Sequence, residues 1–396
     1  MTETLVKMDK KYILNTYNKK HINFKNGKNS TLFDKNGNKY IDFTSGIGVC
    51  SVGHANTKLS KCIYNQLNKL THTSNLYLIE PQVKLANQLS KLSGYDMATF
   101  FCNSGAEANE GAIKLARKYG KKKFDNKKYK IITLESSFHG RTITTLKATA
   151  QKQMHTKDFS PYPKGFTYNT KLDDIYNSID NETIAVMIEL IQGEGGVEAF
   201  DKKEIQKLAR FLKEKNILLI VDEVQTGIYR TGEFLCSNLY EIEPDIITLA
   251  KGLGGGIPIG AIMTKHKDIF QIGDHGSTFG GNYISSKSGL KVLDILSKYQ
   301  QNGKLKENIE YFEKQLYKIY KKYNNIFTNI LGIGFMRGLR VKNDESLNKI
   351  IDNSFKNRVL ILKAGKNTLR FLPPLVITKK EIRSGFKRLE NAIEKI

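Results

Sequence analysis

Short runs of aliphatic and β-branched residues recur through the middle of the chain and alternate with segments of helical periodicity. Four of these runs are KIITLE (130–135), IAVMIEL (184–190), ILLIV (217–221) and DIITLA (245–250). A strand that is apolar on both faces is typical of a parallel sheet covered by helices on both sides. The alternation of strand-like and helical segments therefore predicts an α/β fold whose main sheet is mostly parallel.

The length and these patterns divide the chain into three parts. At 396 residues the chain exceeds the usual size of one hydrophobic core, so two domains are expected. Residues 55–285 contain the alternating runs and are predicted to form a large domain. Residues 286–396, with the end of a long amphipathic stretch near 284–325 and several short strands, predict a smaller α+β domain. Within residues 1–54, alternation around an Asn-Gly turn predicts a β-hairpin that packs with the small domain.

The net charge of +24 raises the alternative of a nucleic-acid-binding protein, because lysines can neutralise phosphates. The 63 Lys and Arg residues are spread along the whole chain, however, and neither zinc-finger spacing nor an aromatic RNA-binding signature accompanies them. We therefore expect no nucleic-acid partner. Salt-sensitive retention on DNA by a colourless protein would favour the alternative.

Cysteine spacing and hydropathy indicate the cellular compartment in which the protein is expected. The four cysteines lack the spacing of a zinc site or of a disulfide framework, so no metal site is expected. No uninterrupted apolar stretch of about 18 residues is present, and the first residues, MTETLVKMDKK, lack the apolar centre of a signal peptide. These features predict a cytoplasmic protein without a membrane partner.

Two of the apolar runs end directly before residues that can carry chemistry. The first is followed by Asp222, and the second by Lys251, which opens the glycine-rich segment GLGGGIPIGA. Ligands of open α/β sheets bind outside the carboxyl ends of the strands, where both side chains fall. A lysine amine can condense with an aldehyde, and a carboxylate can hold a pyridine nitrogen protonated. The pair therefore points to pyridoxal 5'-phosphate as the cofactor.

Two further loops are expected at the same edge of the sheet. ATFFC leads into NSGAEANEGAIKLARK, where Gly105 and Ala106 begin a predicted helix whose amino end could hold a phosphate. KIITLE leads into SSFHGRT, where Phe138 could stack on a flat ring and Arg141 could bind a carboxylate. Taken singly, a plain helix start, a core phenylalanine and a surface salt bridge explain these residues as well.

The order of these motifs resembles a known family. NSGAEANE, SFHGRT, IQGEGG, VDEVQTG followed by RTG, LAKGLGGGIPIGA and GSTFGGN occur in the order found in class III aminotransferases, and the resemblance extends from IDFTSGIG to LRFLPPLVIT. These are fold type I enzymes that use pyridoxal phosphate, with a mainly parallel seven-stranded sheet in a large domain and a smaller α+β domain. The resemblance implies this fold, a transaminase activity and a homodimer with shared active sites.

The resemblance also implies roles at the cofactor. Lys251 corresponds to the lysine that bonds to the cofactor, and Asp222 to the acid that pairs with its pyridine nitrogen. The other cofactor positions implied are Gly105 and Ala106 at the phosphate, Phe138 and Val224 on the two ring faces, Gln225 at the phenolic oxygen, and Thr278, which completes the phosphate site from the neighbouring subunit.

Substrate-binding residues are implied in the same way. Arg141 is expected to bind the substrate α-carboxylate, and Ser277 to contact the acetylated end from the neighbouring subunit. Glu194 and Arg370 correspond to a switch pair of the family. With a basic substrate Glu194 neutralises Arg370, and with glutamate it turns away, so that Arg370 is free for a second carboxylate.

Ile47 favours an acylated amino donor. Ornithine-specific members carry a tyrosine there, and a charged ammonium beside isoleucine would lose solvation without compensation. The segment HTSNLYLIEPQ (72–82) also resembles acetylornithine-specific members. We therefore expect transfer of the terminal amino group of N2-acetyl-L-ornithine to 2-oxoglutarate, giving N-acetyl-L-glutamate 5-semialdehyde and L-glutamate, as in arginine biosynthesis.

Some features leave the choice of amino donor open. Ornithine and 4-aminobutyrate are the alternatives within the class, and many members also accept succinyldiaminopimelate. Leu190 stands where a proline is frequent before IQGE, Tyr229 where a glycine usually precedes RTG, and Tyr283 where a proline usually follows GGN. We expect Tyr229 and Tyr283 near the entrance of the site, where they would influence the substrate range.

Overall fold

The structure is a computed structural model, and it describes residues 2–396. Within these residues the strands form a central seven-stranded sheet, two four-stranded sheets and one two-stranded hairpin. In chain order the strands are β1 (Phe24–Lys28), β2 (Thr31–Asp34), β3 (Lys39–Asp42), β4 (Ala98–Cys102), β5 (Lys130–Leu134), β6 (Phe166–Asn169), β7 (Thr183–Ile188), β8 (Ile191–Gln192), β9 (Glu198–Ala199), β10 (Leu218–Asp222), β11 (Ile246–Leu249), β12 (Gly260–Thr264), β13 (Phe327–Ile333), β14 (Met336–Val341), β15 (Val359–Leu360), β16 (Leu362–Ala364) and β17 (Thr368–Phe371).

Helices cover the central sheet and make up much of the C-terminal region. No helix within residues 2–396 combines the length and the apolar character needed to cross a membrane. In chain order the α-helices are α1 (Thr2–Tyr12), α2 (Ser45–Gly48), α3 (Thr57–Leu67), α4 (Glu80–Ser93), α5 (Gly105–Lys123), α6 (Ile143–Ala148), α7 (Leu172–Ser178), α8 (Lys202–Glu214), α9 (Cys236–Tyr240), α10 (Tyr283–Gln301), α11 (Lys304–Lys322), α12 (Asp344–Lys356) and α13 (Lys379–Ile393).

The central sheet has the strand order β4-β12-β11-β10-β7-β5-β6. The pairs β6–β5, β5–β7, β7–β10 and β10–β11 are parallel, and β12 is antiparallel to both of its neighbours. Six strands therefore run in one direction and one in the other. The α/β fold and the mainly parallel sheet predicted from the apolar runs are confirmed.

Burial on both faces explains why the central strands are apolar throughout. Successive side chains of a strand point to opposite faces of its sheet. Ile131 of β5 and Ile220 of β10 belong to the core cluster that also contains the buried face of α5. Their neighbours Ile132 and Val221 belong to the cluster on the opposite side, which contains the buried face of α8.

A side-chain cap fixes where α5 begins. Ser104 Oγ accepts a hydrogen bond from the Glu107 N–H at 3.2 Å, which satisfies one of the unpaired N–H groups of the first turn. Caps of this kind stabilise a helix by about 1 kcal/mol. Because Ser104 follows β4 by two residues, the amino end of the helix is held at the carboxyl edge of the sheet.

The two four-stranded sheets lie outside the central sheet. One has the order β13-β14-β17-β16 and is antiparallel throughout. The other contains the predicted N-terminal hairpin of β2 and β3, whose turn holds Gly37 at a left-handed φ of 78°. Residues near the C-terminus complete this second sheet, because β15 pairs in parallel with β3.

Several elements differ from what the patterns predicted. The amphipathic stretch near 284–325 is two helices, α10 and α11, because Gly303 takes a left-handed φ of 76° between them. The helix α1 and the strand β12 were not predicted. The run GAIMT that forms β12 begins within the last two residues of the glycine-rich segment, which masked its apolar character.

Candidate active site

A cavity of about 400 Å³ opens at the carboxyl edge of the central sheet, beside the ends of β4, β10 and β11. Another cavity, of about 510 Å³, is formed by residues 5–23 of the N-terminal segment and contains none of the predicted site residues. The lining of the sheet-edge cavity includes residues predicted from the sequence, namely Gly105, Ala106, Phe138, Arg141, Asp222, Val224, Gln225 and Lys251.

Lys251 lies two residues after β11, where a short 3-10 turn begins, and its backbone has a left-handed φ of 39°. A non-glycine residue in this region is strained, and such strain occurs frequently at functional sites. Burial lowers the pKa of Lys251 and the charge of Arg370 lowers it further, whereas the nearby carboxylates act in the opposite direction. A lower pKa increases the fraction of neutral amine, which is the form that condenses with an aldehyde.

Asp222 is the last residue of β10 and is almost fully buried, with 4% of its surface exposed. Its Oδ2 accepts hydrogen bonds from His139 Nδ1 and from Asn109 Nδ2, each at 2.8 Å. Its Oδ1 accepts from the Val224 N–H at 3.0 Å. Three donors therefore fix the orientation of a carboxylate that faces the cavity, which suits it to hold a cationic ring nitrogen.

Asn109 and His139 both contact Asp222, and the sequence patterns did not predict these contacts. Asn109 Nδ2 also donates to the His139 carbonyl oxygen at 2.6 Å, so the two side chains and Asp222 form one buried network. Asn109 lies one helical turn after Gly105 in α5, on the face that packs against the sheet. That position was a usable signal, because an amide on such a face needs a buried partner.

The amino end of α5 provides a place for an anion. The first N–H groups of a helix have no partner within the helix, and the helix dipole favours negative charge there. A Cβ on Gly105 would lie 2.7 Å from Val224 Cγ1, so only glycine fits where the helix start meets the loop after β10. Gly105 and Ala106 therefore present backbone to the cavity, as phosphate binding requires.

Phe138 and Arg141 lie together at the cavity. The Arg141 guanidinium carbon is 5.6 Å from the centroid of the Phe138 ring, and the arginine side chain is exposed. The structure favours neither of the ordinary explanations, because Phe138 lines the cavity and the Arg141 guanidinium lies against the Phe138 ring rather than against a carboxylate. The guanidinium is free to bind a carboxylate.

Arg370 is a buried cation with two acceptors. Its Nη1 donates to Glu194 Oε1 at 2.6 Å and to Gln225 Oε1 at 3.3 Å. The Gln225 side chain packs against the backbone of Gly193, since a Cβ on Gly193 would lie 2.2 Å from Gln225 Oε1. The predicted pair of Glu194 and Arg370 is thus formed, and Gln225 connects it to the cavity.

Five of the predicted residues do not line the cavity of their own chain: Glu194 and Arg370, which form the pair beside it, and Ile47, Ser277 and Thr278. Ile47 is 42% exposed in the turn of α2 and has a left-handed φ of 65°, and Val49 lines the cavity instead. Ser277 Oγ accepts a hydrogen bond from Asn103 Nδ2 at 3.1 Å. Thr278 is exposed at the protein surface.

The expected position of Tyr229 near the entrance is wrong. Its side chain is 4% exposed and packs edge-on against Phe234, with ring centroids 5.5 Å apart. Its hydroxyl forms a hydrogen bond of 2.9 Å with Ser297 Oγ, on α10. The replacement of the usual glycine therefore fills a core position instead of shaping the substrate channel.

Glu189 is a second buried carboxylate at the cavity. It directly follows β7, and its Oε2 accepts a hydrogen bond from the Phe138 N–H at 2.9 Å. Burial raises the pKa of Glu189 to about 7, and the charge of Asp222 acts in the same direction. The sequence contained the signal for Glu189, because an apolar run that ends at an acid was the pattern that identified Asp222.

Comparison with protein families and characterised sequences gives consistent matches. Residues 12–393 match the family model described as Aminotransferase class-III. The acetylornithine aminotransferase of Wolinella succinogenes is 56% identical, over 98% of this chain and 99% of that protein. The acetylornithine aminotransferase of Caldanaerobacter subterraneus is 42% identical, over 99% of this chain and 100% of that protein.

Solved structures share the fold over the whole chain. The ornithine aminotransferase of Toxoplasma gondii superimposes with a TM-score of 0.91 at 29% identity, covering 100% of this chain and 95% of that one. Another structure of that enzyme is described as showing partial occupancy of PLP at the active site. The N-acetylornithine aminotransferase of Stenotrophomonas maltophilia gives a TM-score of 0.82 at 30% identity, covering 98% of each chain.

We expect Glu189→Gln to change how stability depends on pH. Burial raises the pKa of Glu189 to about 7 in the folded protein, whereas the unfolded carboxyl titrates at about 4.3. The stability that the neutral carboxyl contributes is complete below the unfolded pKa and is lost as the pH rises through the folded pKa. As the pH is raised from about 5 to 8, thermal unfolding should show that the free energy of unfolding of the variant increases relative to that of the wild type, by up to about 3 kcal/mol.

The matched control for this measurement is Glu198→Gln, which removes a partly exposed carboxylate paired with Arg340. Its stability relative to the wild type should not rise with pH over this range. The interpretation fails if the difference between wild type and Glu189→Gln is independent of pH.

Proposed function

The chain belongs to the class III aminotransferases, and we propose that its amino donor is N2-acetyl-L-ornithine. Like other members of this family, it is a transaminase that depends on pyridoxal phosphate. In the proposed reaction the terminal amino group passes to 2-oxoglutarate, which gives N-acetyl-L-glutamate 5-semialdehyde and L-glutamate, as a step of arginine biosynthesis. The observation that carries this proposal is the cavity in which Lys251 and Asp222 lie close to the Glu194–Arg370 pair.

The residues of the cavity fit pyridoxal phosphate. When bound, the cofactor supplies an electron-accepting ring that stabilises negative charge on the substrate carbon. We assign the phosphate to the amino end of α5 at Gly105 and Ala106, and the ring nitrogen to the Asp222 carboxylate. The close approach of Val224 to Gly105 supports this assignment, because it requires glycine at position 105 and so leaves that part of the backbone without a Cβ.

The remaining cofactor contacts follow from the lining of the cavity. Phe138 and Val224 provide apolar surfaces for the two faces of the ring. Gln225 offers a side-chain amide to the phenolic oxygen, and Thr278 is assigned to the phosphate of the neighbouring subunit. His139 and Asn109 keep the Asp222 carboxylate oriented toward the position assigned to the ring nitrogen.

Lys251 Nζ has two tasks in this proposal. Its first task would be to hold the cofactor at its aldehyde carbon. Its second would be to accept, as a neutral amine, a proton from the carbon that bears the substrate nitrogen. The lowered pKa supports the second task, because only a neutral amine accepts a proton.

The Glu194–Arg370 pair explains how one pocket serves two kinds of substrate. Acetylornithine has a single carboxylate, which we assign to Arg141. Glutamate and 2-oxoglutarate have two, and the second binds Arg370 once Glu194 has turned away. The Glu194 side chain is 29% exposed and that of Arg370 only 3%, so the carboxylate is the partner with room to move.

The acetylated donor is favoured by the residues near the outer end of the cavity. Ile47 cannot act as a partner for a charged α-ammonium, whereas an acylated nitrogen carries no charge to be solvated. Ser277 is assigned to the acetylated end from the neighbouring subunit. Ornithine and 4-aminobutyrate are the alternative donors, and succinyldiaminopimelate is an alternative acylated one.

The exposed surface supports the proposal of a homodimer with shared active sites. The segments 64–83 and 272–279 are contiguous, because Asn75 Nδ2 donates to the Ser277 carbonyl oxygen at 2.9 Å. A large exposed apolar surface of this kind marks an interface, and Thr278 lies within it. The exposed apolar side chains of the two segments are Tyr64, Leu67, Leu70, Leu76, Tyr77, Leu78, Val83, Ile272 and Phe279.

A cytoplasmic location fits the cysteines and the substrates. All four cysteines are free thiols, which suits a reducing compartment. The proposed reactants are small anionic or zwitterionic metabolites, so no nucleic-acid or membrane partner is required. The excess of positive charge instead favours the approach of dicarboxylates and of the phosphorylated cofactor.

The amino donor is tested by single-turnover reactions followed through the absorbance of the bound cofactor. Acetylornithine should react at least about tenfold faster than ornithine or 4-aminobutyrate, because a pocket without a partner for an ammonium discriminates at that level. Lys251→Ala should abolish the reaction with every donor and the covalent label left by borohydride. Lys267→Ala, which removes a surface lysine paired with Asp96, should change neither. Faster reaction of ornithine would assign the enzyme to the alternative donor.

The switch is tested by Glu194→Ala. Loss of the carboxylate leaves Arg370 unneutralised when a basic substrate is bound, so the acetylornithine half-reaction should slow by about tenfold or more. The glutamate half-reaction should change less, because Glu194 is displaced there in any case. Glu198→Ala, a carboxylate four residues away that pairs with Arg340, serves as the control. Equal effects on both half-reactions would rule out the switch.

Sharing of the sites is tested by mixing two inactive variants, Lys251→Ala and Thr278→Asp. If Thr278 serves the neighbouring subunit, a mixed dimer contains one site with both residues intact, so activity should return to about a quarter of the wild-type value at equal mixing. If Thr278 serves its own chain, no mixed dimer contains an intact site. Refolding the variants separately provides the baseline, and activity that stays at this baseline would contradict the shared-site arrangement.

A further inference from the structure

Arg230 is a buried cation without a buried anion. It lies in the loop after β10, eight residues beyond Asp222, and is 2% exposed. Burial lowers the pKa of Arg230 to about 9, and no carboxylate of residues 2–396 offsets this effect. Burying an arginine without a counter-ion costs free energy, so a buried arginine at this position indicates that its side chain has a specific structural role.

The guanidinium is bonded to carbonyl groups of the C-terminal region. Arg230 Nη1 donates to the carbonyl oxygens of Pro373 at 2.5 Å and of Phe335 at 3.4 Å. The backbone is held as well, because the Phe335 N–H donates to the Arg230 carbonyl oxygen at 2.9 Å. Arg230 therefore connects the loop after the cofactor strand to two segments that lie more than a hundred residues away.

The chain reaches Arg230 through a strained segment. Ile228 and Tyr229 have left-handed φ angles of 56° and 65°, which side chains with a Cβ disfavour, a β-branched one most of all. Such a backbone persists only where the surroundings determine it. The buried Tyr229 ring and the bonds of Arg230 provide that determination.

The Pro373 carbonyl lies three residues beyond Arg370, just after the end of β17. The same exit from the strand is bonded to the N-terminal segment, since Ser45 Oγ donates to the Leu372 carbonyl oxygen at 2.6 Å and the Leu372 N–H donates to Phe43. The Arg230 side chain, which follows a strand of the central sheet, bonds to the next residue, Pro373. Without this side chain, the residues just after β17 would keep their hydrogen bonds to the N-terminal segment and lose the one to Arg230.

We propose that Arg230 is a positioning residue for dicarboxylate binding, which holds β17 so that Arg370 stands at the correct distance from the Lys251–Asp222 cavity. The proposal rests on the function proposed above, in which glutamate and 2-oxoglutarate use Arg370 and acetylornithine does not. A shift of β17 moves the second carboxylate site relative to Lys251 and leaves Arg141 where it is. Loss of Arg230 therefore affects the two half-reactions unequally.

The test compares Arg230→Met and Arg230→Lys with the wild-type holoenzyme. Maleate, a dicarboxylate that cannot react, is titrated against the absorbance of the bound cofactor, and both half-reactions are measured. Arg230→Met should weaken maleate binding and raise the KM for 2-oxoglutarate by about tenfold or more, the effect of losing a charge-assisted hydrogen bond. The acetylornithine half-reaction should change by less than about threefold. Arg230→Lys keeps a charged donor but loses the planar guanidinium, so its effect should fall between that of Arg230→Met and the wild type.

Arg117→Met is the matched control. Arg117 is a partly buried arginine that, like Arg230, donates to a backbone carbonyl, here that of Lys164, but it lies on α5 away from β17. Its replacement should lower the melting temperature without separating the two half-reactions. Should Arg230→Met fail to fold, the maleate affinity of Arg230→Lys decides the matter.

Three results would overturn the proposal: unchanged maleate binding in Arg230→Lys, equal loss in both half-reactions, or a loss confined to acetylornithine. Failure of the proposed function gives a different result. In that case the wild type itself would not convert acetylornithine, whereas the effect of Arg230 on maleate and glutamate could still be measured.

Discussion

The hydrogen bonds to the Asp222 carboxylate are the constraint on which the rest of the site depends. A buried charge is stable only if donors replace the water it has lost, and three elements supply them here: α5 through Asn109, the loop after β5 through His139, and the loop after β10 through Val224. Each element must end or begin at the carboxyl edge for this to occur. The mainly parallel sheet, with its strand ends together, meets that requirement.

Close packing of backbone against side chains sets the positions of the other groups. Val224 occupies the space of a Cβ at Gly105, and Gln225 occupies that at Gly193, so the loop after β10 touches both the helix start and the segment that carries Glu194. A methyl group at either glycine would push this loop away. The four residues that follow Val221 therefore contact both the anion site and the segment of the Glu194–Arg370 pair. The proposed cofactor site and the proposed substrate site thus both depend on the end of β10.

Much of the fold and of the cofactor site could be predicted because the signals are local. An apolar run that ends at Asp222 or Lys251 marks both a strand and the edge at which its ligand binds. The network of Asn109 and His139 could not be derived in this way, since its members meet only after the sheet is assembled. The position of Tyr229 could not be derived from local signals either. Its sequence neighbours indicated a place near the entrance of the site, whereas the left-handed backbone before Arg230 turns its ring into the core.

The difference in burial between Glu194 and Arg370 explains which of the two can act as a switch. The guanidinium is almost fully enclosed and is bonded to Gln225 as well as to Glu194, so removing it would leave a cavity and broken bonds. The partly exposed carboxylate loses less when it turns away, because water can replace the bond it gives up. A dicarboxylate that brings its own anion to Arg370 offsets the remaining cost, since the cation stays paired throughout. In the proposed switch, one carboxylate would replace another without exposing an unpaired buried charge, provided that β17 holds Arg370 still.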